Sequence, residues 1–259
     1  SDERFLIWSP DKIAYLRDVD STIDDEIRDR DRLDTTNIFS IAPGSETGIG
    51  ILQEGDDFIR VLYDSEREIT TLGRDLRYFN AGAWSPDGTQ YAYVNEGTFD
   101  ETNRVNGAEI FAISPDGTPP QQWTDLFARY GATRINGVRR DNLSWSPDGT
   151  QLAFWVIEML GSAPDGINAR AIIHTYDLTT NTTTAYCGFS TRNHTPYTPR
   201  LAWSPDSANL AFSVNVADRT GGNLLITLAL NSGIYTELSS GVYSNVGVPD
   251  VYLWGRQPE

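Results

Sequence analysis

The sequence predicts an all-β protein, a β-propeller of four-stranded antiparallel blades, and three observations carry that prediction. The tetrapeptide Trp-Ser-Pro-Asp recurs at 8–11, 84–87, 145–148 and 203–206. The last three copies open longer repeats, AWSPDGTQYAYV, SWSPDGTQLAFW and AWSPDSANLAFS, in which an apolar strand enters a tight turn and a second apolar strand leaves it. Further strand-turn-strand patterns follow each copy. A unit of this size cannot bury its own apolar face, so it must stack on copies of itself. Four antiparallel strands in meander order form one blade, and closing the blades into a ring removes exposed strand edges.

The unit that begins near Trp84 shows the parse. Strand A covers 82–85, and the turn Pro86-Asp87-Gly88 suits each residue: proline fixes φ, aspartate bonds local backbone, and glycine accepts positive φ. Strand B covers 90–94 and alternates as a half-buried strand does. Strand C covers 109–114, a second Pro-Asp-Gly turn follows at 115–117, and strand D covers 121–124. The next unit parses as 143–146, 151–156, 171–177 and 182–187, and the one after as 201–204, 209–214, 224–229 and 234–238. A degenerate unit lies between the first two Trp-Ser-Pro-Asp copies, with strands at 37–42, 47–53, 58–64 and 68–72, a turn at Pro43-Gly44, and Ile41 in the place of the tryptophan.

The ends complete the ring. Residues 4–8 and 12–17 form an N-terminal hairpin, and 251–254 is a lone strand. The economical solution pairs that strand with the hairpin, giving a single domain of five blades: 37–73, 82–124, 143–187, 201–238, and a closing blade from 1–17 and 250–254. The alternative is that Trp8 opens a true blade of a longer propeller. The chain begins Ser-Asp-Glu without a methionine, which reads as a processed or excised piece.

These repeats resemble the TolB-like propeller repeat, also called the WD40-like or PD40 repeat, whose signature is a strand ending in WSPDG, a following apolar strand, and a later strand-turn-strand near a PDG. The resemblance covers 82–254 well and the first third poorly; Asp206-Ser207 replaces the usual Asp-Gly. It implies fold rather than function. The family includes periplasmic proteins that bind protein partners, sensor domains of larger receptors and kinases, and propellers that gate serine peptidases. It supplies no active-site residue to carry over, because its motif residues are structural.

Composition narrows the function classes. Net charge is −16, from 36 acidic and 20 basic residues, which opposes binding to nucleic acid phosphates or anionic membranes. Cys187 is the only cysteine, so no intrachain disulfide forms. No apolar run is long enough to span a membrane. The two histidines, His174 and His194, lack metal-ligand spacing, and no GxSxG elbow, phosphate loop or HExxH helix is present. His174 falls in a strand C and reads as packed rather than reactive; Asp87, Asp148 and Asp206 read as turn residues, not as a catalytic cluster. No cofactor is expected.

Added length falls on one side. The A–B and C–D turns are short, whereas the B–C connections (95–108, 157–170, 215–223) and D–A connections (125–142, 188–200, 239–250) are long, and in a meander these emerge on one face. Irregular loops on a rigid scaffold are where binding concentrates. One D–A connection carries Arg129, Tyr130, Arg134, Arg139 and Arg140, and the next carries Arg192, His194, Tyr197 and Arg200. Arginine forks bind carboxylates in pairs of bonds and tyrosine offers a flat amphipathic surface. These nine residues are the candidate partner-binding set, against the alternative that each arginine pairs with acids such as Asp125 or Asp141. The acidic segment 18–34 reads as a solvated loop. Asp18, Asp20 and Asp24 alternate as calcium ligands do, but the glycine of the sharp bend and the twelfth-position glutamate are missing.

The expectation is therefore a monomeric, non-catalytic propeller, periplasmic or extracellular, that engages a protein or peptide with its long-loop face. A sensor domain of a larger protein and a glycan-active or small-ligand site in the central channel are the alternatives.

Overall fold

The computed structural model describes residues 5–8, 12–16, 25–29, 36–45, 47–54, 57–63, 69–74, 81–96, 108–131, 133–135, 143–159, 169–186, 188–191, 199–215, 223–238, 251 and 254–255. They fall into two compact units, Ser1–Asp75 and Leu76–Glu259.

The first unit holds two antiparallel sheets. Strands β1 (Phe5–Trp8) and β2 (Lys12–Leu16) form the expected hairpin, and β3 (Asp25–Asp29) pairs with β2. The segment read as a wholly solvated loop therefore contains a strand. Its charged residues conceal it, because pairing with the hairpin supplies backbone bonds that need no apolar pattern. Trp8 pairs with Ile13, five positions on, so this Trp-Ser-Pro-Asp copy closes a tighter connection than the others. The second sheet is the degenerate blade: β4 (Thr36–Ile41), β5 (Gly48–Glu54), β6 (Asp57–Tyr63) and β7 (Ile69–Arg74) in sequential order. Gly44 takes φ +70° at its first turn. Ile49, Val61, Leu62 and Leu72 are buried.

The second unit contains three blades, joined by elements that the repeat pattern does not show. The first is β8 (Gly82–Trp84), β9 (Tyr91–Glu96), β10 (Ala108–Ile113) and β11 (Gln121–Gln122). A short helix, α1 (Leu126–Tyr130), and strand β12 (Thr133–Ile135) follow. The middle blade is β13 (Ser144–Trp145), β14 (Gln151–Met159), β15 (Ala169–Asp177) and β16 (Thr182–Ala185), followed by β17 (Phe189–Thr191). The last blade is β18 (Ala202–Trp203), β19 (Asn209–Asn215), β20 (Asn223–Ala229) and β21 (Ile234–Glu237). Of the segment expected to close the ring, Val251 and Trp254 are described and lie outside any strand, and 252–253 lie outside the described residues.

Register shows that the four meanders are one design. Trp84 pairs with Tyr91, Trp145 with Leu152, Trp203 with Leu210 and Ile41 with Gly48, seven positions apart each time. Ile41 thus occupies the tryptophan place. The intervening turn is held by its own side chains. Asp87 Oδ1 accepts from the Thr89 amide at 3.1 Å and the Thr89 hydroxyl at 2.9 Å, and from Ser85 Oγ at 2.5 Å. Ser85 Oγ in turn accepts the Gln90 amide at 3.0 Å. The same bonds recur around Asp148 and, without the threonine hydroxyl, around Asp206. The bonds from Ser85 and Thr89 hold the Asp87 carboxyl below the usual range. Gly88 and Gly149 take φ +71°. Ser207 takes φ +58° in the same place, and its hydroxyl accepts the Asp148 amide at 3.4 Å. The serine that departs from the repeat thus ties one blade's turn to the preceding one.

Tryptophans stitch the blades. Trp145 Nε1 donates to the Ala83 carbonyl and Trp203 Nε1 to the Ser144 carbonyl, each at 2.9 Å. Each therefore bonds strand A of the preceding blade one residue before that blade's own tryptophan. Ala92, Val94 and Ile110 of the first blade pack with Leu152, Phe154, Val156 and Tyr176 of the middle blade. On its other face, Ala153, Trp155 and Ile173 pack with Leu210, Phe212 and Ile226 of the last blade.

Replacing Asp87 or Asp148 with alanine removes a turn-holding acceptor and is expected to cost about 0.5–2 kcal/mol, as loss of a capping side chain does. Urea unfolding measures it. An unchanged midpoint in both variants contradicts the structural role.

Candidate binding face

Two of the D–A connections, 125–142 and 188–200, are not plain loops. The first climbs through α1 and lays β12 against the distal half of β14, pairing Thr133 with Glu158, Arg134 with Ile157 and Ile135 with Val156. The second lays β17 against the distal half of β15, pairing Ala169 with Thr191, Arg170 with Ser190 and Ala171 with Phe189. Strands β14 and β15 therefore do two jobs. Near the Pro-Asp-Gly turn they pair with β13 and β16; beyond it they form a sheet extension edged by β12 and β17. That extension lies at the B–C end of the blade, so the two kinds of long connection share one face here. The expectation of irregular loops is corrected, because β14 and β15 outlast their neighbours and offer free ladder positions that the connections fill.

Two buried polar groups fix α1. Glu109, on β10, is 1% exposed. Its Oε2 accepts the Thr124 hydroxyl at 2.6 Å and the Leu126 amide at 2.9 Å, and its Oε1 accepts the Phe127 amide at 2.8 Å. These are first-turn amides with no partner inside the helix. Burial pushes the Glu109 carboxyl up, and the bonds from Leu126, Thr124 and Phe127 pull against that rise without cancelling it. Asp125 accepts the Ala128 amide at 3.3 Å, and the Gly131 amide closes the helix on the Phe127 carbonyl at 2.8 Å.

The other end is tied by His174 of β15, which is fully buried. Its Nε2 lies 2.9 Å from Tyr130 Oη and its Nδ1 3.2 Å from the Ile172 carbonyl. A carbonyl only accepts, so Nδ1 carries the proton and Nε2 accepts from tyrosine. The ring stacks on Phe154 at 5.7 Å and meets Tyr130 edge-on at 5.5 Å. Burial, opposed by the Ile172 bond and aided by nearby Arg129, lowers its pKa to about 4. His174 is thus the packed residue that its strand position suggests. Helix α1 straps the first blade to the middle one.

The candidate residues can now be placed. Arg129 is exposed at the end of α1, its guanidinium 5.1 Å from the Tyr130 ring centre. Tyr130 is half-buried on His174. Arg134 lies in β12. Arg200 is half-buried just before the last blade. Arg139, Arg140, Arg192, His194 and Tyr197 lie outside the described residues, as do Cys187 and the calcium candidates Asp18, Asp20 and Asp24. Among the described residues no group of three or more histidine, cysteine or acidic side chains is placed to hold a metal, and no helix is long and apolar enough to cross a membrane.

The two connections, 125–142 and 188–200, contain six arginines (129, 134, 139, 140, 192, 200) and two acids (Asp125, Asp141) in a chain of net charge −16. Both connections attach to the same sheet extension. Sequence reading missed Glu109, which holds the first amides of α1, and Gly188, where a Cβ would meet the Arg170 stem at 2.6 Å. The helix itself had a signal, an Asp125 cap before Leu-Phe-Ala-Arg-Tyr and Gly131 after it.

No family model matches the chain, and no curated protein matches its sequence. Solved structures do match. An oligogalacturonate lyase from Vibrio parahaemolyticus aligns with TM-score 0.57 and 14% identity over 91% of this chain and 62% of that one. Dipeptidyl peptidase 4 of Porphyromonas gingivalis aligns with TM-score 0.55 and 14% identity over 92% and 38%. TolB from Acinetobacter baumannii aligns with TM-score 0.44 and 16% identity over 88% and 48%. Together with the stacked meanders, the first two make this a β-propeller-type fold. It is the kind that the TolB-like repeats imply. The chain spans 62% or less of the length of each of these proteins.

Two measurements test the strap. An unfolded histidine binds a proton near pH 6.5, whereas buried His174 resists one until about pH 4. Between those values the unfolded state holds more protons, so stability present above pH 6.5 is lost as pH falls toward 4, by about 3 kcal/mol in total. Urea unfolding of wild type and His174→Phe across that range should show a shallower pH slope in the variant; equal slopes contradict the buried neutral imidazole. Glu109→Gln turns an acceptor carboxylate into an amide that faces three donors, and is expected to cost about 1–3 kcal/mol. Amide exchange at Leu126 and Phe127 should accelerate before the blades open. Unchanged exchange there rules out the anchoring role.

Proposed function

We propose that the chain is a non-catalytic recognition or scaffold module that engages a protein or peptide through the face bearing the B–C and D–A connections, in a periplasmic or extracellular setting. The observation that carries this reading is the convergence of two arginine-rich connections onto one sheet extension. Drifting surface loops have no reason to share one sheet extension, and the first of the two is fastened by a buried glutamate and a buried histidine. A positive patch on an acidic chain favours an acidic partner locally while the overall field repels polyanions. The loop-face set remains Arg129, Tyr130, Arg134, Arg139, Arg140, Arg192, His194, Tyr197 and Arg200. A second reading, a sensor or regulatory domain working beside other domains, draws support from the greater length of the structurally similar proteins.

The test compares wild type, the double variant Arg139→Glu plus Arg192→Glu, and a control with Pro119→Glu plus Ser232→Glu in the opposite turns, in a capture screen with quantified binding. Loss of the captured partner in the loop-face variant alone is expected. Loss in the turn-face control alone places binding on the other side, and turnover of a glycan or peptide without any partner moves the chain into the enzyme class.

A further inference from the structure

Helix α1 is fastened at its two ends by groups that answer acid in opposite senses. At the first turn, Glu109 accepts the Leu126 and Phe127 amides. Burial raises that carboxyl, so proton uptake there favours the closed arrangement, and this fastening holds as pH falls. At the last turn, Tyr130 donates to His174 Nε2. That bond needs a neutral imidazole, because Nδ1 already directs a proton at the Ile172 carbonyl. A second proton puts an N–H where the tyrosine O–H points, and puts a charge in a fully buried site.

The surroundings of His174 offer that charge no counterpart. From α1, Tyr130 meets the ring edge-on and Arg129 adds a positive charge that opposes protonation. From β14, Phe154 stacks on the ring, and from β16, Ala185 pairs with His174 across the ladder. Its own strand face carries Ile172 and, two places along, Arg170. Among these described neighbours there is no carboxylate. With the last turn of α1 open, the imidazole meets water and titrates near pH 6.5; closed, it resists a proton until about pH 4. The open form takes the proton first, so opening becomes easier as pH falls through that window. The movement is confined, because Leu126 and Ile135 on either side of the turn are buried in one core and β12 stays paired with β14.

We propose that the Tyr130–His174 contact is an acid-released latch: acid lifts the Arg129 end of α1, hinged on the Glu109 fastening, while the blades stay closed. The latch itself needs no partner; that it governs partner access rests on the reading of this face as the binding face. Arg129 leaves with the turn, so the positive charge it brings to the face is held in place at neutral pH and loosened in acid.

Native-state amide exchange of the full chain at pH 7 and pH 5, corrected for the intrinsic pH dependence, reads the two ends separately. The Gly131 amide, bonded to the Phe127 carbonyl, reports the latch, and the Leu126 and Phe127 amides report the hinge. With a closed value near 4 and an open one near 6.5, opening at Gly131 is expected to rise about twentyfold from pH 7 to pH 5. Leu126, Phe127 and the β14 amides should not accelerate with it. His174→Gln keeps an acceptor for Tyr130 without a titratable ring, and should cut the rise to less than about twofold. The chain has two histidines, so the imidazole signal that His174→Gln removes is that of His174, and it should titrate near pH 4; His194→Gln assigns the same signal if the first variant does not fold. No rise at Gly131 in wild type, a rise that survives His174→Gln, a His174 signal that titrates near pH 6.5, or equal acceleration in β14 would each overturn the latch. A failed latch with capture still lost in Arg139→Glu plus Arg192→Glu removes the latch alone. Capture that survives that double variant removes the binding face and leaves the latch.

Discussion

The three blades of the second unit need one another, and the indole hydrogen bond between them is where that need takes a definite geometry. Trp145 and Trp203 each reach back to a strand-A carbonyl of the preceding blade. The bond fixes the distance and the rotation between blades, and the apolar faces then close over it. A blade alone would expose Val94, Ile110, Phe154 or Phe212, all of which are buried here. The turns follow from the same constraint. Strand A must end and strand B must return in register with the seam, so the Ser-Pro-Asp turn is built with internal bonds that do not depend on solvent or ligand.

The seam also explains why the candidate face sits where it does. The first and middle blades are held face to face, which brings β10 and β15 close enough for one short helix to bridge them. Helix α1 has too few residues to be stable alone. It exists because Glu109 offers both carboxylate oxygens to its first amides and His174 receives Tyr130 at its end. Burying a carboxylate and an imidazole is costly unless each is fully bonded, and both are. The rigid scaffold therefore continues into a segment that would otherwise be a loop, and carries Arg129 with it.

Sequence reading reached the blades because the information there is local. The spacing from tryptophan to its cross-strand partner is the same in all four meanders, even where Ile41 replaces the indole, and the turn residues declare themselves. Beyond the blades that legibility stops, for physical reasons. Strand β3 is highly charged, and strands β12 and β17 are three residues long, too short to show alternation; each of the three exists through pairing with a partner distant in sequence. Glu109 looks like one more acid until the fold brings helix amides to it. Gly188 reads as a loop glycine, and only the position of the Arg170 stem shows what its missing side chain allows. The arginine-rich connections were visible as a pattern of charge, but their meeting on one sheet was not.

Native-state amide hydrogen exchange across β13, β14, α1 and β12 in wild type and Trp145→Phe tests most directly whether the indole seam organises the candidate face. Phenylalanine retains an aromatic ring and removes the N–H donor. If the seam positions the face, exchange should accelerate together in β13–β14 and in α1–β12, although no residue of α1 is changed. Faster exchange confined to β13–β14, with α1 and β12 protected as before, would show that the face stands independently of the seam.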